Sequence, residues 1–452
     1  MAKKNDLIVG TIQKINRKNK GIMYASDMKI AVSDALLEQT VEVRLLKKRK
    51  SAWEGRIESI VKNPDYFVEA VCDYFGVCGG CSLQNVPYEN QQQQKLRQVN
   101  DLLENKYDLT NIIPSPNQYE YRNKMEFSFG DTIKDGPMAL GLHKKHTTFD
   151  IITVDGCKIT NSDFSTILTT VLDYAKQKNI PFYKKKIHEG VLKFLIIRRS
   201  ETTGELLINL VTSSQQSYDY ATLVSTLLEL NIKGKIAGIL HTISDSLADA
   251  VKPDSVEILY GRDYIVEEIL GLTFKISAFS FFQTNTKGAQ VLYKNALSLI
   301  KNIDNKVVFD LYSGTGTIAQ IMALRAKKVF GIEIIKEAVA SATENAKLNN
   351  LTNCEFIAGD VLTEIDKLEI QPDVIILDPP RGGIHPKAIT KIINFGAEEI
   401  LYISCKPTSL ARDLIIFEEN GYSVKNLFCV DMFPNTYHVE TVCLLSKLHV
   451  DQ

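Results

Sequence analysis

Between residues 306 and 405, five short apolar runs alternate with longer stretches of helical period. The runs occupy 306–312, 328–334, 354–359, 374–378 and 399–405, and they are rich in Val, Ile and aromatic residues. That composition suits a pleated strand, and an unbroken apolar run suits a strand covered on both faces. Strands alternating with helices in this way predict an α/β fold built on a parallel, doubly wound sheet. In open α/β sheets, ligands sit beyond the carboxyl ends of the strands. The chemistry is therefore sought where each run stops.

The first run ends in Asp310-Leu311-Tyr312-Ser313-Gly314-Thr315-Gly316-Thr317. Its glycines allow a tight turn and a close backbone approach to a ligand at the start of a helix. Glu333 ends the second run, where an acid binds ribose hydroxyls, and Asp360 follows the third, within reach of an adenine edge. This order fits an adenosine-bearing cofactor. A nicotinamide dinucleotide competes, because Ala319 stands at the third position of a G-x-G-x-x-G/A pattern. The fourth run ends in Asp378-Pro379-Pro380-Arg381, and two prolines after a strand make a stiff, extended turn. Dehydrogenases have no use for such a turn. Methyltransferases use it to set a polar side chain between cofactor and target base.

The fifth run delivers Ser404-Cys405-Lys406-Pro407. A lone thiol at a strand end is more often a core residue than a nucleophile. Its neighbours along the chain reverse that balance. Uracil C5 is too weak a nucleophile to take a methyl group from a sulfonium. A thiolate added to C6 makes an enolate that can do so, and a base must then remove the C5 proton. The segment Asp431-Met432-Phe433-Pro434-Asn435-Thr436-Tyr437-His438-Val439-Glu440 offers Glu440 and His438 just before a last strand at 442–445.

Three cysteines crowd into Cys72-Asp73-Tyr74-Phe75-Gly76-Val77-Cys78-Gly79-Gly80-Cys81, and a fourth, Cys157, follows at a distance. Four thiolates at this spacing suit zinc or a [4Fe–4S] cluster equally well. With 8 cysteines in 452 residues the chain carries no disulfide framework, so these thiols point to a reducing, cytoplasmic setting. No apolar stretch is long enough for a membrane span, and no secretory leader is visible.

Residues 1–62 hold 14 Lys/Arg against 7 Asp/Glu, although the whole chain has a net charge of −1. Short strands are predicted at 7–12, 28–32, 40–45 and 53–60, with basic turns at 17–20 and 47–50. A small basic β-barrel of the RNA-binding, OB-like kind fits this pattern. Asn63-Pro64-Asp65 ends it. From about 89 to 280 the pattern is α+β. It contains a Gln-rich helix at 89–106, strands at 122–130 and 140–143, a helix at 163–178, and a hairpin of 191–199 with 204–211. The predicted parts are a β-barrel at 1–62, a central cysteine-bearing region at 63–280 and a cofactor-binding region at 281–452. Basic residues placed to meet RNA are those of the two turns, then Arg122, Lys124 and His143-Lys144-Lys145-His146. Phe281 could stack on a base.

Taken together, Cys78-Gly79-Gly80-Cys81-Ser82-Leu83-Gln84, Ser280-Phe281-Phe282-Gln283-Thr284-Asn285, Asp378-Pro379-Pro380-Arg381, Ser404-Cys405 and Asp431-Met432-Phe433-Pro434 with Glu440 resemble the RNA uracil-C5 methyltransferase family. The resemblance is to its form with a TRAM domain and an iron–sulfur cluster, and it spans nearly the whole chain. It implies that Cys405 is the nucleophile and Glu440 the proton acceptor. It implies that Gln283, Tyr312, Glu333 and Asp378 contact S-adenosylmethionine, with Asp360 a further candidate from its strand position. It also implies that Cys72, Cys78, Cys81 and Cys157 hold a [4Fe–4S] cluster rather than zinc. The expected substrate is 23S rRNA, with the T-loop uridine of tRNA as the alternative and a non-catalytic RNA-binding protein a distant third. No DNA or membrane partner is expected. Residues 34–40 lack the Pro-Gly turn associated with TRAM domains.

Overall fold

The computed structural model describes residues 2–16, 18–248 and 251–448. The region beyond 300 supplies seven strands of an eight-stranded sheet. Its strands run Cys354–Ala358, Lys328–Glu333, Val307–Leu311, Val374–Leu377, Glu399–Ser404, Glu440–Lys447, Tyr422–Val430 and Ile112–Ile113 in spatial order. The first five are parallel, as the alternation predicts. Chain order reverses at Val307–Leu311, which makes the crevice beside it the switch point where ligands bind such sheets.

The sheet is not wholly parallel. Glu440–Lys447 runs antiparallel to Glu399–Ser404, and Tyr422–Val430 antiparallel to it in turn. Direction here is set by a closing hairpin, which apolar periodicity does not report. Both faces are covered. Val308, Ile376, Leu401 and Ile403 face one core with the helix Thr286–Ser298. Phe309, Ile375, Ile400 and Tyr402 face the other with Pro386–Asn394 and Pro407–Glu419. Each side chain so buried contributes ~1.5–3 kcal/mol, and two-sided burial explains why the runs are continuous rather than alternating.

A seven-stranded sheet occupies the middle of the chain, in the order Ile151–Thr153, Met138–His143, Lys124–Asp131, Leu192–Arg199, Glu205–Thr212, Lys235–Ile243 and Ser255–Gly261. The helix Ser162–Gln177 packs on it, capped by Asn161, whose side chain accepts from the Asp163 N–H at 3.1 Å. The Gln-rich helix spans Tyr88–Leu102. Its Leu96 and Val99 enter the core of the C-terminal sheet, and Ile112–Ile113 adds an edge strand there.

The N-terminal sheet has six strands, in the order Leu7–Thr11, Thr40–Arg49, Ala52–Lys62, Met28–Ser33, Lys20–Ala25 and Lys14–Ile15. Its two outer strands are consecutive pieces of one segment. Two basic stretches differ from expectation. Lys47–Arg49 is strand, not turn, because it pairs with residues 52–54 in a long hairpin. Lys20 opens a strand that its polar start concealed. Arg17, placed in the first basic turn, lies outside the described residues. Among the described residues no helix is long and apolar enough to cross a membrane.

Candidate active site

The glycine turn after Val307–Leu311 is shaped by positive φ angles at Tyr312 (70°), Gly314 (54°) and Gly316 (72°). A Cβ on Gly316 would stand 2.5 Å from the Phe356 ring, so only glycine fits there. The Glu333 carboxylate braces this turn. It accepts from Gly314 N–H at 3.0 Å and from Ile335 N–H at 2.9 Å. Asp310 is buried beneath the turn and accepts from Ala319 N–H at 2.9 Å, while its Oδ1 has no partner. Burial first, then the charge of Asp378, pushes its carboxyl well above the ordinary range.

Asp378 follows Val374–Leu377, and burial pushes its carboxyl up to about 7. Cys405 follows the neighbouring strand. Its thiol is half-buried and pushed up to about 11 by burial, then by Glu440 and Asp378, with Arg381 acting against them. The antiparallel hairpin explains how Glu440 arrives. A sixth parallel strand would begin at the far edge of the sheet. Because Glu440–Lys447 is reversed, its first residues lie beside the end of Glu399–Ser404, with Thr441 opposite Ser404. Thr441 Oγ1 donates to Ser404 O at 3.1 Å and fixes that register. Glu440 is 4% exposed. Burial, then Asp378, pushes its carboxyl up to about 8, against the pull of Arg381. Two carboxyls near neutrality and one thiol thus lie within electrostatic reach of one another at the carboxyl ends of the strands, with the exposed Arg381 guanidinium beside them.

His438 is held at about 4, by burial first and then by Arg381, Lys95 and Arg122, so it is neutral near pH 7. Asp360 is exposed and caps the short helix Val361–Glu364 by accepting from Leu362 N–H at 2.9 Å. It still influences the Tyr312 phenol, which burial and then Asp360 push up to about 12. Gln283 is held by its carbonyl, which accepts from Asn123 Nδ2 at 3.0 Å. Its side chain meets the hydroxyl of Tyr293, a residue sequence reasoning missed. Tyr293 is buried in Thr286–Ser298 and lies within the fields of Asp378, Glu440 and Asp310. In sequence it is an ordinary apolar helix position, so no signal marks it.

Cys72, Cys78, Cys81 and Cys157 line one cavity with Tyr74, Phe75 and Leu142. Burial dominates the upward shifts of Cys78, Cys157 and Cys81, the last to about 12, and the four sulfurs lie close enough to disfavour one another's charge. Among the described residues no three His, Cys, Asp or Glu side chains are drawn into a metal cage. The donor set is nonetheless four soft sulfurs around a cavity, which is the chemistry that zinc or an iron–sulfur cluster takes.

The basic residues expected to meet RNA are partly engaged within the chain. Lys145 and His146 each lie 2.6 Å from the carboxylate of Asp34 and tie the central region to the N-terminal sheet. Burial works to raise the Asp34 carboxyl, yet the hydrogen bond and charge of Lys145, then the contact with His146, hold it below its ordinary value. Lys47 and Arg49 share Glu54 at 3.5 and 3.3 Å. Lys124 is half-buried and brought down to about 8, by burial and then by Arg198.

A doubly wound sheet with a glycine turn, a bracing acid and a D-P-P-R turn at its switch point places the molecule among the α/β methyltransferases. The solved structure of Pyrococcus abyssi tRNA (uracil-54, C5)-methyltransferase, in complex with S-adenosyl-L-homocysteine, shares this fold. Its TM-score is 0.78 at 24% identity, over 97% of this chain and 100% of that one. The profile of the tRNA (Uracil-5-)-methyltransferase family matches residues 87–448. An uncharacterized RNA methyltransferase of Clostridium tetani is 48% identical over 440 residues, 96% of each chain. Another, from Caldanaerobacter subterraneus subsp. tengcongensis, is 46% identical over 448 residues, 98% of this chain and 99% of its own. The chain belongs to the tRNA (uracil-5-)-methyltransferase family, S-adenosylmethionine-dependent RNA methyltransferases of the uracil-C5 type.

Proposed function

We propose that the protein methylates C5 of a uridine in 23S rRNA through a covalent adduct between Cys405 and C6 of the base. The observation that carries this reading is that Cys405, Glu440 and Asp378 come together at the carboxyl edge of the sheet, both carboxyls acting on the thiol. S-adenosylmethionine supplies an electrophilic methyl group. Gln283, Tyr312, Glu333 and Asp378 hold it, with Asp360 at the margin. Cys405, once its thiol proton has passed to solvent, adds as thiolate to C6, and the C5–C6 π electrons become an enolate. C5 then forms its bond to the methyl carbon as the carbon–sulfur bond of the sulfonium breaks, its electron pair staying on sulfur, so that S-adenosyl-L-homocysteine leaves. Glu440, ionised, takes the C5 proton, the C5–C6 double bond returns, and the Cys405 sulfur leaves with the electrons of its bond to C6. A carboxyl pushed up to about 8 is a stronger base than an ordinary glutamate, which suits that step.

In this reading residues 1–62 form a TRAM-like barrel that binds RNA, 63–280 carry a [4Fe–4S] site on Cys72, Cys78, Cys81 and Cys157, and 281–452 perform the transfer. Zinc is the lesser candidate for the four thiols. The site fixes the fold and orients RNA; no electron transfer is assigned to it. A second reading, the T-loop uridine of tRNA, draws support from the Pyrococcus abyssi enzyme, whose whole length the fold matches.

The test uses RNA carrying 5-fluorouridine, from which C5 cannot lose a proton. The wild-type protein is expected to form a stable protein–RNA adduct, and Cys405→Ala to form none. An adduct that persists in Cys405→Ala overturns the assignment. Offering 23S rRNA and tRNA transcripts side by side, with labelled S-adenosylmethionine, separates the two substrates.

A further inference from the structure

The segment that brings Glu440 into the pocket is bolted to the loop that carries the cysteines. Asn435 is fully buried five residues before Glu440. Its carbonyl accepts from Ser82 N–H at 2.9 Å and Leu83 N–H at 3.0 Å. Ser82 directly follows Cys81, and Gln84 in the same loop accepts from Cys72 N–H at 3.1 Å. Asn435 N–H donates to Gln91 Oε1 at 2.8 Å, and Gln91 Nε2 lies 3.2 Å from Asn435 Oδ1. Gln91, also fully buried, donates to Leu83 O and Val86 O, both at 2.9 Å. Asn435 Nδ2 reaches Gln118 O at 2.9 Å. The side chain and backbone of this one residue, with Gln91, thus join the cysteine loop, the helix Tyr88–Leu102 and the 431–440 segment.

One helical turn further along, Lys95 secures the same segment. Its ammonium bonds Asp431 at 2.7 Å and Phe433 O at 3.1 Å, with both charged side chains fully buried. Positions four apart share a helix face, so Gln91 and Lys95 hold two points of the segment from one side. Asn435 has φ +65°, which asparagine tolerates better than other side chains apart from glycine.

We propose that Asn435 is a positioning residue that registers Glu440 against the four-cysteine loop, so that the state of that loop sets how well the pocket removes the C5 proton. The inference rests on the role given above to Glu440. It predicts a selective defect. Attack by Cys405 depends on a different strand and proceeds, whereas proton removal depends on where Glu440 sits. A displacement of ~1 Å costs such a step up to ~100-fold.

Asn435→Gly keeps the backbone conformation and the carbonyl bonds to Ser82 and Leu83 while removing the side chain. In single-turnover reactions on unmodified RNA, Asn435→Gly is expected to form the adduct within about twofold of wild type and to release it ~10-fold or more slowly. Iron and zinc content should match wild type. Gln91→Met removes the helix-side bonds, those to Asn435 N–H and Oδ1 and those to Leu83 O and Val86 O, and is expected to show the same split. Release at the wild-type rate in both variants overturns the proposal. So does equal slowing of formation and release, or loss of metal along with activity, since these mark a merely structural residue. Glu440→Gln runs in parallel. If it releases product normally, the role of Glu440 itself falls. If it stalls release while Asn435→Gly and Gln91→Met do not, only the joint falls.

Discussion

Cys405 and the four cysteines at 72, 78, 81 and 157 start from the same side chain and end in opposite surroundings. In both places burial pushes thiols upward. Around Cys405 the further influences are Glu440 and Asp378, with Arg381 opposing them. Around Cys81 they include the other three cysteines. A thiol flanked by acids can hand a proton onward and meet a substrate at a sheet edge. Thiols flanked by thiols ionise together only when a cation joins them. The role of a cysteine is thus set by its second neighbour rather than by its exposure.

The largest expected effect breaks the comparison at its catalytic end. Cys405→Ala should lower methyl transfer at least ~10³-fold while leaving thermal unfolding within a few degrees of wild type. Cys81→Ala should do the reverse in kind. Metal binding at a four-thiolate site is folding free energy, so this variant should lose bound metal and unfold at distinctly lower temperature, with activity falling as a consequence. Unfolding temperature, metal analysis and adduct yield on 5-fluorouridine RNA read both. A Cys81→Ala protein with native stability would place the four cysteines in the same category as any buried thiol.

Much of this contrast is legible in the sequence, and the limits are physical. Runs buried on both faces announce themselves by composition, so all five parallel strands are placed within a residue or two at each end. Chain direction is not encoded in such runs, and the antiparallel return of Glu440–Lys447 is what puts Glu440 beside Cys405. Polar residues buried by mutual hydrogen bonding are equally silent. Gln91 and Lys95 lie in a helix read only as polar and Gln-rich, and Asp431 and Asn435 in a segment read for Glu440 and His438, yet each of the four is fully buried. The run His143–His146 shows a different limit. Its charge suggests a nucleic-acid contact, while Asp34, more than a hundred residues away, already engages two of its members.

A smaller effect sharpens the catalytic end through pH. Asp378 and Glu440 are pushed up to about 7 and about 8, the first by burial and the second by burial and then by the charge of Asp378. Proton removal from C5 needs the ionised carboxylate. Release of the adduct should therefore quicken as pH rises from about 6 and level off above about 8, roughly tenfold per pH unit on the steep part. Quench-flow on unmodified RNA measures it. A release rate flat from pH 6 to 9 would remove Glu440 from the step.

The smallest expected effect is on stability, and its sign separates the two kinds of site. Folding raises the Glu440 carboxyl from 4.5 to about 8. Below about pH 4.5 the folded and unfolded chains are both protonated there, and the group costs nothing. Between about 4.5 and 8 the unfolded chain gains by ionising while the folded one resists, so stability is lost as pH rises. Above about 8 the penalty is complete and constant. Glu440→Gln removes the titration. It should leave stability nearly unchanged at pH 5 and increase it at pH 9 by ~2 kcal/mol, less than the whole shift implies because the surroundings of a buried charge relax around it. Chemical unfolding at the two pH values decides it. A gain at pH 9 alone marks a carboxylate kept at the expense of stability because the pocket needs a base. An equal change at both pH values makes Glu440 an ordinary buried polar residue.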